Sequence, residues 1–207
     1  NDATKTQALA KLNAFTRKIG YPDKWRDYTA LAVDRGPYVQ NVLRSRSFES
    51  KRDIQKIGQP VDRTEWVMSP PTVNAYYNPS MNEIVFPAGI LQPPAFNMDA
   101  VDAVNYGAIG VVIGHEISHG FDDQGAQYDE LGRLQNWWTE ADLKKFQDRG
   151  QCVVRQFEDY FIEPGIHHNG HLVLGESIGD LGGGIFGQLE RDAVERGALH
   201  QSADDLE

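Results

Sequence analysis

The stretch "GHEISHG", residues 114–120, sets two histidines four apart inside a long apolar segment, and no other feature constrains the fold so tightly. Residues 98–121 read as one helix, with Ala103, Tyr106, Ala108, Ile109, Val112, Ile113 and Ile117 at its buried positions. Positions i and i+4 of a helix share a face, so His115 and His119 can turn both imidazoles toward one point. Polar groups enclosed by so apolar a helix are costly unless they are paired. Gly107, Gly110 and Gly114 each lower helix propensity by about 1 kcal/mol relative to alanine, and close approach of another backbone is the expected compensation. The chain should therefore build its core round this helix.

Two neutral imidazoles suit Zn²⁺. Glu116, one residue after His115, is turned roughly 100° about the helix axis. That makes it a poor third ligand but places it to touch a water on the metal, the geometry of a metalloprotease general base. The alternative is a pair of surface histidines flanking a glutamate by chance. A catalytic zinc takes three protein ligands and keeps one position open. "GESIGD", residues 175–180, offers Glu176 and Asp180, again four apart, at the start of a later helix. Glu176 could ligate the metal while Asp180 reaches an imidazole N–H of a ligand histidine. The same pair would also suit a solvated first turn, where the helix dipole favours carboxylates.

Elsewhere, residues 3–18 show helical spacing through Ala8, Leu9, Leu12, Ala14 and Phe15. Residues 37–57 read as a charge-rich helix with a thin apolar stripe, the pattern of a surface or bridging helix. Residues 61–96 hold six of the ten prolines and read as short strands, with "YYNPSMNEIVF" as a hairpin looping at Asn78-Pro79 and an edge strand beside it. A helix is expected over 140–161, a tight hairpin at Asn169-Gly170, and a last helix over 176–195. His167, His168 and His171 then flank a surface turn rather than a second metal site. Trp137 and Trp138 read as core anchors beside the motif helix. The glycine-rich "GDLGGGIFG" lacks the preceding strand of a nucleotide loop and suits helix packing instead.

The formal net charge of −10 argues against a nucleic-acid partner, which would need a basic face. Cys152 is the only cysteine, so an internal disulfide and a thiolate-only zinc site are excluded. It is expected as a buried small side chain, with a partner outside this chain as the alternative. The longest apolar run, Tyr106 to Ile113, is too short to span a membrane. The first residues, "NDATKTQALAKL", show no basic-then-apolar leader.

Four blocks resemble, in order and spacing, the neprilysin family of zinc endopeptidases: "NAYYNPSMNEIVFPAGILQPPAF" (74–96), "GHEISHGFDDQG" (114–125), "LQNWWT" (134–139) and "LGESIGDLGG" (174–183). The resemblance implies an α+β, zincin-like core, mainly helical with a small mixed or antiparallel sheet, whose zinc helix packs on a second ligand-bearing helix. It implies one Zn²⁺ per chain, held by His115, His119 and Glu176, with Glu116 activating a zinc-bound water. Asp180 would orient a ligand histidine and serve in proton transfer, and Asp122 would stand behind the other ligand histidine. Asn74 and Ala75 would hold the substrate backbone, and Ile90, Val111 and Val112 would line the apolar pocket for the residue after the cut. The family often has two aromatics after Pro-Pro; Ala95 and Phe96 stand here, so the pocket's size does not carry over.

The implied function is hydrolysis of peptide bonds in oligopeptides. Residues 1–65 would be a helical segment leading out of the family's lid region, and 66–207 the peptidase domain, incomplete at its C-terminal end. The family's oxyanion-stabilising histidine and arginine lie beyond the "GESIGD" block, and His200 stands too early to be that histidine. The alternative is thus a metal-binding but catalytically silent piece whose partners are the remaining N- and C-terminal parts of the same enzyme. An exported location, periplasmic, cell-surface or extracellular, is favoured over a cytoplasmic one.

Overall fold

The computed structural model describes residues 1–195, with side chains described through residue 189; His200 lies outside the described residues. Helix α1 (Asp2–Asn13) starts on Asn1, whose side chain accepts from Thr4 N–H at 3.0 Å. Its buried positions are Thr4 and Lys11, followed by Phe15, while Leu9 is about half exposed. The helix expected over 3–18 stops early because residues 16–20 form strand β1 (Thr16–Gly20). A parallel ladder with Glu83–Pro87 satisfies this backbone, and Gly20 leaves the strand at φ +88.

The chain divides into two compact units, Pro22–Val67 and the remainder. The smaller contains helix α2 (Tyr38–Gln55), which has no buried residue, in keeping with its thin apolar stripe. Arg26 and Arg52 both reach Glu49, Arg52 and Lys56 both reach Glu65, and Tyr28 packs on Phe48 with ring centroids 5.8 Å apart. The larger unit takes in Asn1–Tyr21 as well as Met68 onward, a division different from the 65/66 boundary expected from sequence, because β1 belongs to its sheet.

Strands β2 (Tyr76–Asn78) and β3 (Glu83–Pro87) form the expected hairpin, and the sheet order is β1-β3-β2. The central β3 is buried along its whole length, and β2 is left as an edge. Trp66, Val67 and Val73, read as strand residues from sequence, lie outside the strands, so the proline-rich segment contributes one hairpin only. The core of Phe15, Ala75, Ile84 and Phe86 packs against Leu12, Val112, Ile113 and Ile117.

The single helix expected over 98–121 is two helices, α3 (Asp102–Gly107) and α4 (Ile109–His119), broken at Ala108 with φ −111 and ψ −90. Two glycines flanking the break weaken helix continuity there. Helix α5 (Glu140–Glu158) follows, then the small hairpin of β4 (Phe161–Glu163) and β5 (Ile166–His167), then α6 (Leu174–Glu195). That hairpin turns at Pro164-Gly165, with Gly165 at φ +84, and not at Asn169-Gly170. Asn169 instead caps the approach to α6, accepting Leu172 N–H at 3.1 Å through Oδ1. Cys152 is exposed rather than buried, because Gly150 and Val154 are the buried residues of α5 and Cys152 lies midway between them on the opposite face.

Helices α4 and α6 pack backbone to backbone. A Cβ on Gly183 would meet the carbonyl oxygen of Val111 at 2.5 Å, and one on Gly114 would meet Phe186 Cβ at 2.6 Å. Gly107 meets nothing, so of the three motif-helix glycines it is Gly114 that lies against α6. Gly183→Ala should push the helices apart at the cost of about 1–3 kcal/mol, read as a lowered midpoint in thermal or urea unfolding. An unchanged midpoint would show that the seam yields freely.

Candidate metal centre

The α4 register puts His115 and His119 side by side, with their Nε2 atoms 2.9 Å apart. The close α4–α6 seam delivers Glu176 from the first turn of α6, its Oε2 3.4 Å from His115 Nε2 and 3.7 Å from His119 Nε2. One atom from each of these three side chains falls within 4.8 Å of the others, the only such His/Cys/Asp/Glu group among the described residues. His167, by contrast, is tied through Nδ1 to the Glu158 carbonyl oxygen at 2.6 Å.

Each ring is held from behind. His115 Nδ1 lies 3.0 Å from Asp180 Oδ1, and His119 Nδ1 lies 2.7 Å from Asp122 Oδ2. An imidazole that donates Nδ1–H to a carboxylate keeps its lone pair on Nε2. Two lone pairs and a carboxylate then converge, a set of acceptors that could hold a cation. Zinc, with its preference for imidazole and carboxylate in a four-coordinate shell, fits this donor set. The bond to Asp122 chiefly raises the pKa of the His119 ring, against the opposing effect of burial. Metal and proton compete for one nitrogen.

The two supporting carboxylates differ. Asp122 is buried, and its Oδ1 accepts the N–H groups of Gln124 at 2.8 Å and Gly125 at 2.7 Å, so it is fixed on both oxygens. Asp180 is 80% exposed on its side chain and rests on His115 alone among its hydrogen bonds to described residues.

Glu116 is 5% exposed, beside the rings and not among the convergent three. Burial raises its pKa, the neighbouring histidines and the Tyr77 N–H oppose the rise, and Glu176 adds to it. Glu116 and the three candidate ligands line a cleft of about 630 Å³. One wall is Asn74, Ala75, Tyr76, Tyr77 and Pro79, which run into and along the edge strand β2; the other includes His171, Leu172 and Gly175. Asn74 Oδ1 accepts the N–H of Ala75 at 2.9 Å. Ile90 and Val112 pack on the hydrophobic core, and Val111 faces Gly183 and Gly187 of α6, so none of these three residues lines the cleft.

Trp137 and Trp138 anchor the loop after α4, donating from Nε1 to the carbonyl oxygens of Tyr128 and Ala126 at 2.9 and 3.0 Å. Sequence reasoning passed over Lys11, which is 1% exposed and bonded to this same loop. The available signal was its spacing: Thr4, Lys11 and Phe15 fall on one helical face, and a search for apolar residues alone skips two of them.

Residues 74–186 match the family model for peptidase family M13. The chain is 45% identical over 192 residues to neprilysin-11 of Caenorhabditis elegans, covering 88% of this chain and 23% of that protein. It is 44% identical over 187 residues to an endothelin-converting enzyme homolog of Locusta migratoria, covering 87% of this chain and 26% of that protein. The crystal structure of Mycobacterium tuberculosis zinc metalloprotease ZMP1 in complex with an inhibitor superposes with a TM-score of 0.90 at 51% identity, over 95% of this chain and 31% of that one. The chain thus spans about a quarter of the length of these curated relatives, and its mainly helical fold with small sheets matches the zinc metalloprotease structure. On the match across 74–186, this chain belongs to peptidase family M13.

Proposed function

We propose that this chain carries the zinc centre of an endopeptidase acting on oligopeptides, with His115, His119 and Glu176 as ligands and Glu116 as the base. The observation that supports this most is the convergence of three acceptor groups beside a buried carboxylate in an open cleft. When bound, zinc supplies a Lewis acid that polarises a carbonyl and makes water nucleophilic near neutral pH. Glu116 takes a proton from the attacking water at its carboxylate, and its raised pKa brings its proton affinity closer to the working pH. It then returns that proton to the leaving amine nitrogen. Asp122 and Asp180 keep each imidazole in the tautomer that leaves Nε2 free. Asn74 and Ala75, with the free edge of β2, hold an extended peptide by its backbone.

A second reading has its own support: the described residues lining the cleft include no lysine or arginine to receive the oxyanion. On that reading the chain binds zinc but is silent until the rest of the enzyme joins it. Turnover of a short fluorogenic peptide by the 207-residue chain separates the two. Cleavage abolished by a chelator and restored by zinc supports the first, and zinc binding without cleavage supports the second. No described helix is long and apolar enough to cross a membrane. Export belongs to the same proposal, and recovery of the protein solely in the cytoplasmic fraction of its source cells would contradict it.

A further inference from the structure

The least expected group near the centre is a buried ammonium. Lys11 Nζ donates to the carbonyl oxygens of Gly120 at 2.6 Å, Gly125 at 2.6 Å and Tyr128 at 2.8 Å. Three N–H groups meet three acceptors, so the charge is fully bonded although the residue is only 1% exposed. The rings of Tyr77, Phe121 and Trp137 stand round it, with centroids 5.6–5.9 Å from Nζ. The site also lies past the C-terminus of α4, the end of a helix dipole that favours a cation.

These bonds form an unbroken path to a candidate ligand. Gly125 gives its carbonyl to Lys11 and its N–H to Asp122 Oδ1, and the other oxygen of Asp122 holds His119 Nδ1. The loop has little freedom to do this otherwise, since a Cβ on Gly125 would lie 1.8 Å from the carbonyl oxygen of His119. Asn82 fixes the other side, donating from Nδ2 to the Lys11 carbonyl oxygen at 3.2 Å.

We infer that Lys11 is a positioning residue of the metal centre: its ammonium gathers the Gly120–Tyr128 loop so that Asp122 meets His119 at the ring angle the metal requires. This rests on the proposal that His119 is a zinc ligand. A purely structural lysine would affect stability and leave the centre's own properties unchanged in the folded protein.

Lys11→Met keeps the length of the side chain and removes all three donors. In the folded variant, checked by circular dichroism and a cooperative melt, zinc affinity by chelator competition is expected to fall about 10-fold. In the zinc-free chain, ¹⁵N-histidine spectra should show the His119 Nδ1 signal displaced and that of His115 in place. In an Asp122→Asn background, Lys11→Met should change zinc affinity by less than about 2-fold, because its route to the metal is already cut. If Lys11→Met does not fold, Lys11→Gln, which keeps two N–H donors, should show a smaller shift of the same sign. A folded variant with unchanged affinity and an unmoved His119 signal overturns the proposal, as does a full 10-fold loss on top of Asp122→Asn. Wild-type chain with no zinc affinity overturns the metal centre itself, and that control is measured first.

Discussion

Glu116→Gln should retain zinc and lose about 10²–10⁴-fold in the rate of peptide cleavage. The substitution is nearly isosteric, which matters at a side chain only 5% exposed, and it leaves His115, His119 and Glu176 untouched. What it removes is the buried carboxylate proposed to take the proton and give it back. The amide also removes the buried charge whose desolvation raises the Glu116 pKa, so folding should not suffer. Zinc content and turnover on a fluorogenic peptide, measured on the same preparation, separate the effects. Retained zinc with wild-type turnover would remove Glu116 from the mechanism.

His119→Ala should weaken zinc binding by more than about 100-fold, beyond the range expected for losing a supporting partner alone. On the proposal the ring supplies one of three convergent ligands, and its Nε2 is within 3.7 Å of Glu176 Oε2 and 2.9 Å of His115 Nε2. Two ligands remain, too few for a catalytic zinc site. The loop behind the ring should survive, because Asp122 still accepts the N–H groups of Gln124 and Gly125 and Lys11 still holds three of its carbonyls. The loss therefore reports the ligand and not collapse of its support. Zinc bound at wild-type affinity in this variant would exclude His119 from the centre.

The site was more legible in the sequence than the fold around it. Helical spacing alone places His115 beside His119 and Glu176 beside Asp180, but the meeting of the two pairs was legible only through the family resemblance. The hairpin of Tyr76–Asn78 with Glu83–Pro87 was equally local. Long-range pairing was not. Residues 16–18 fall within the helix expected over 3–18, and only a parallel ladder with β3, more than sixty residues away, makes residues 16–20 a strand. Asn169-Gly170 has the composition of a hairpin turn but lies against the Val154 carbonyl, where a Cβ on Gly170 would sit 2.1 Å from the oxygen. Lys11 shows the limit most clearly: a charged residue on a buried helical face looks like an error until its three acceptors, from a loop over a hundred residues on, are known.

Anomalous diffraction at the zinc edge, from crystals of the zinc-loaded chain, locates the metal without reference to activity. One strong peak within about 2.0–2.2 Å of His115 Nε2, His119 Nε2 and a Glu176 carboxylate oxygen is the expected result. A peak held by other residues, or none at all in a chain shown to be folded, would contradict the assignment of these three side chains as the metal centre.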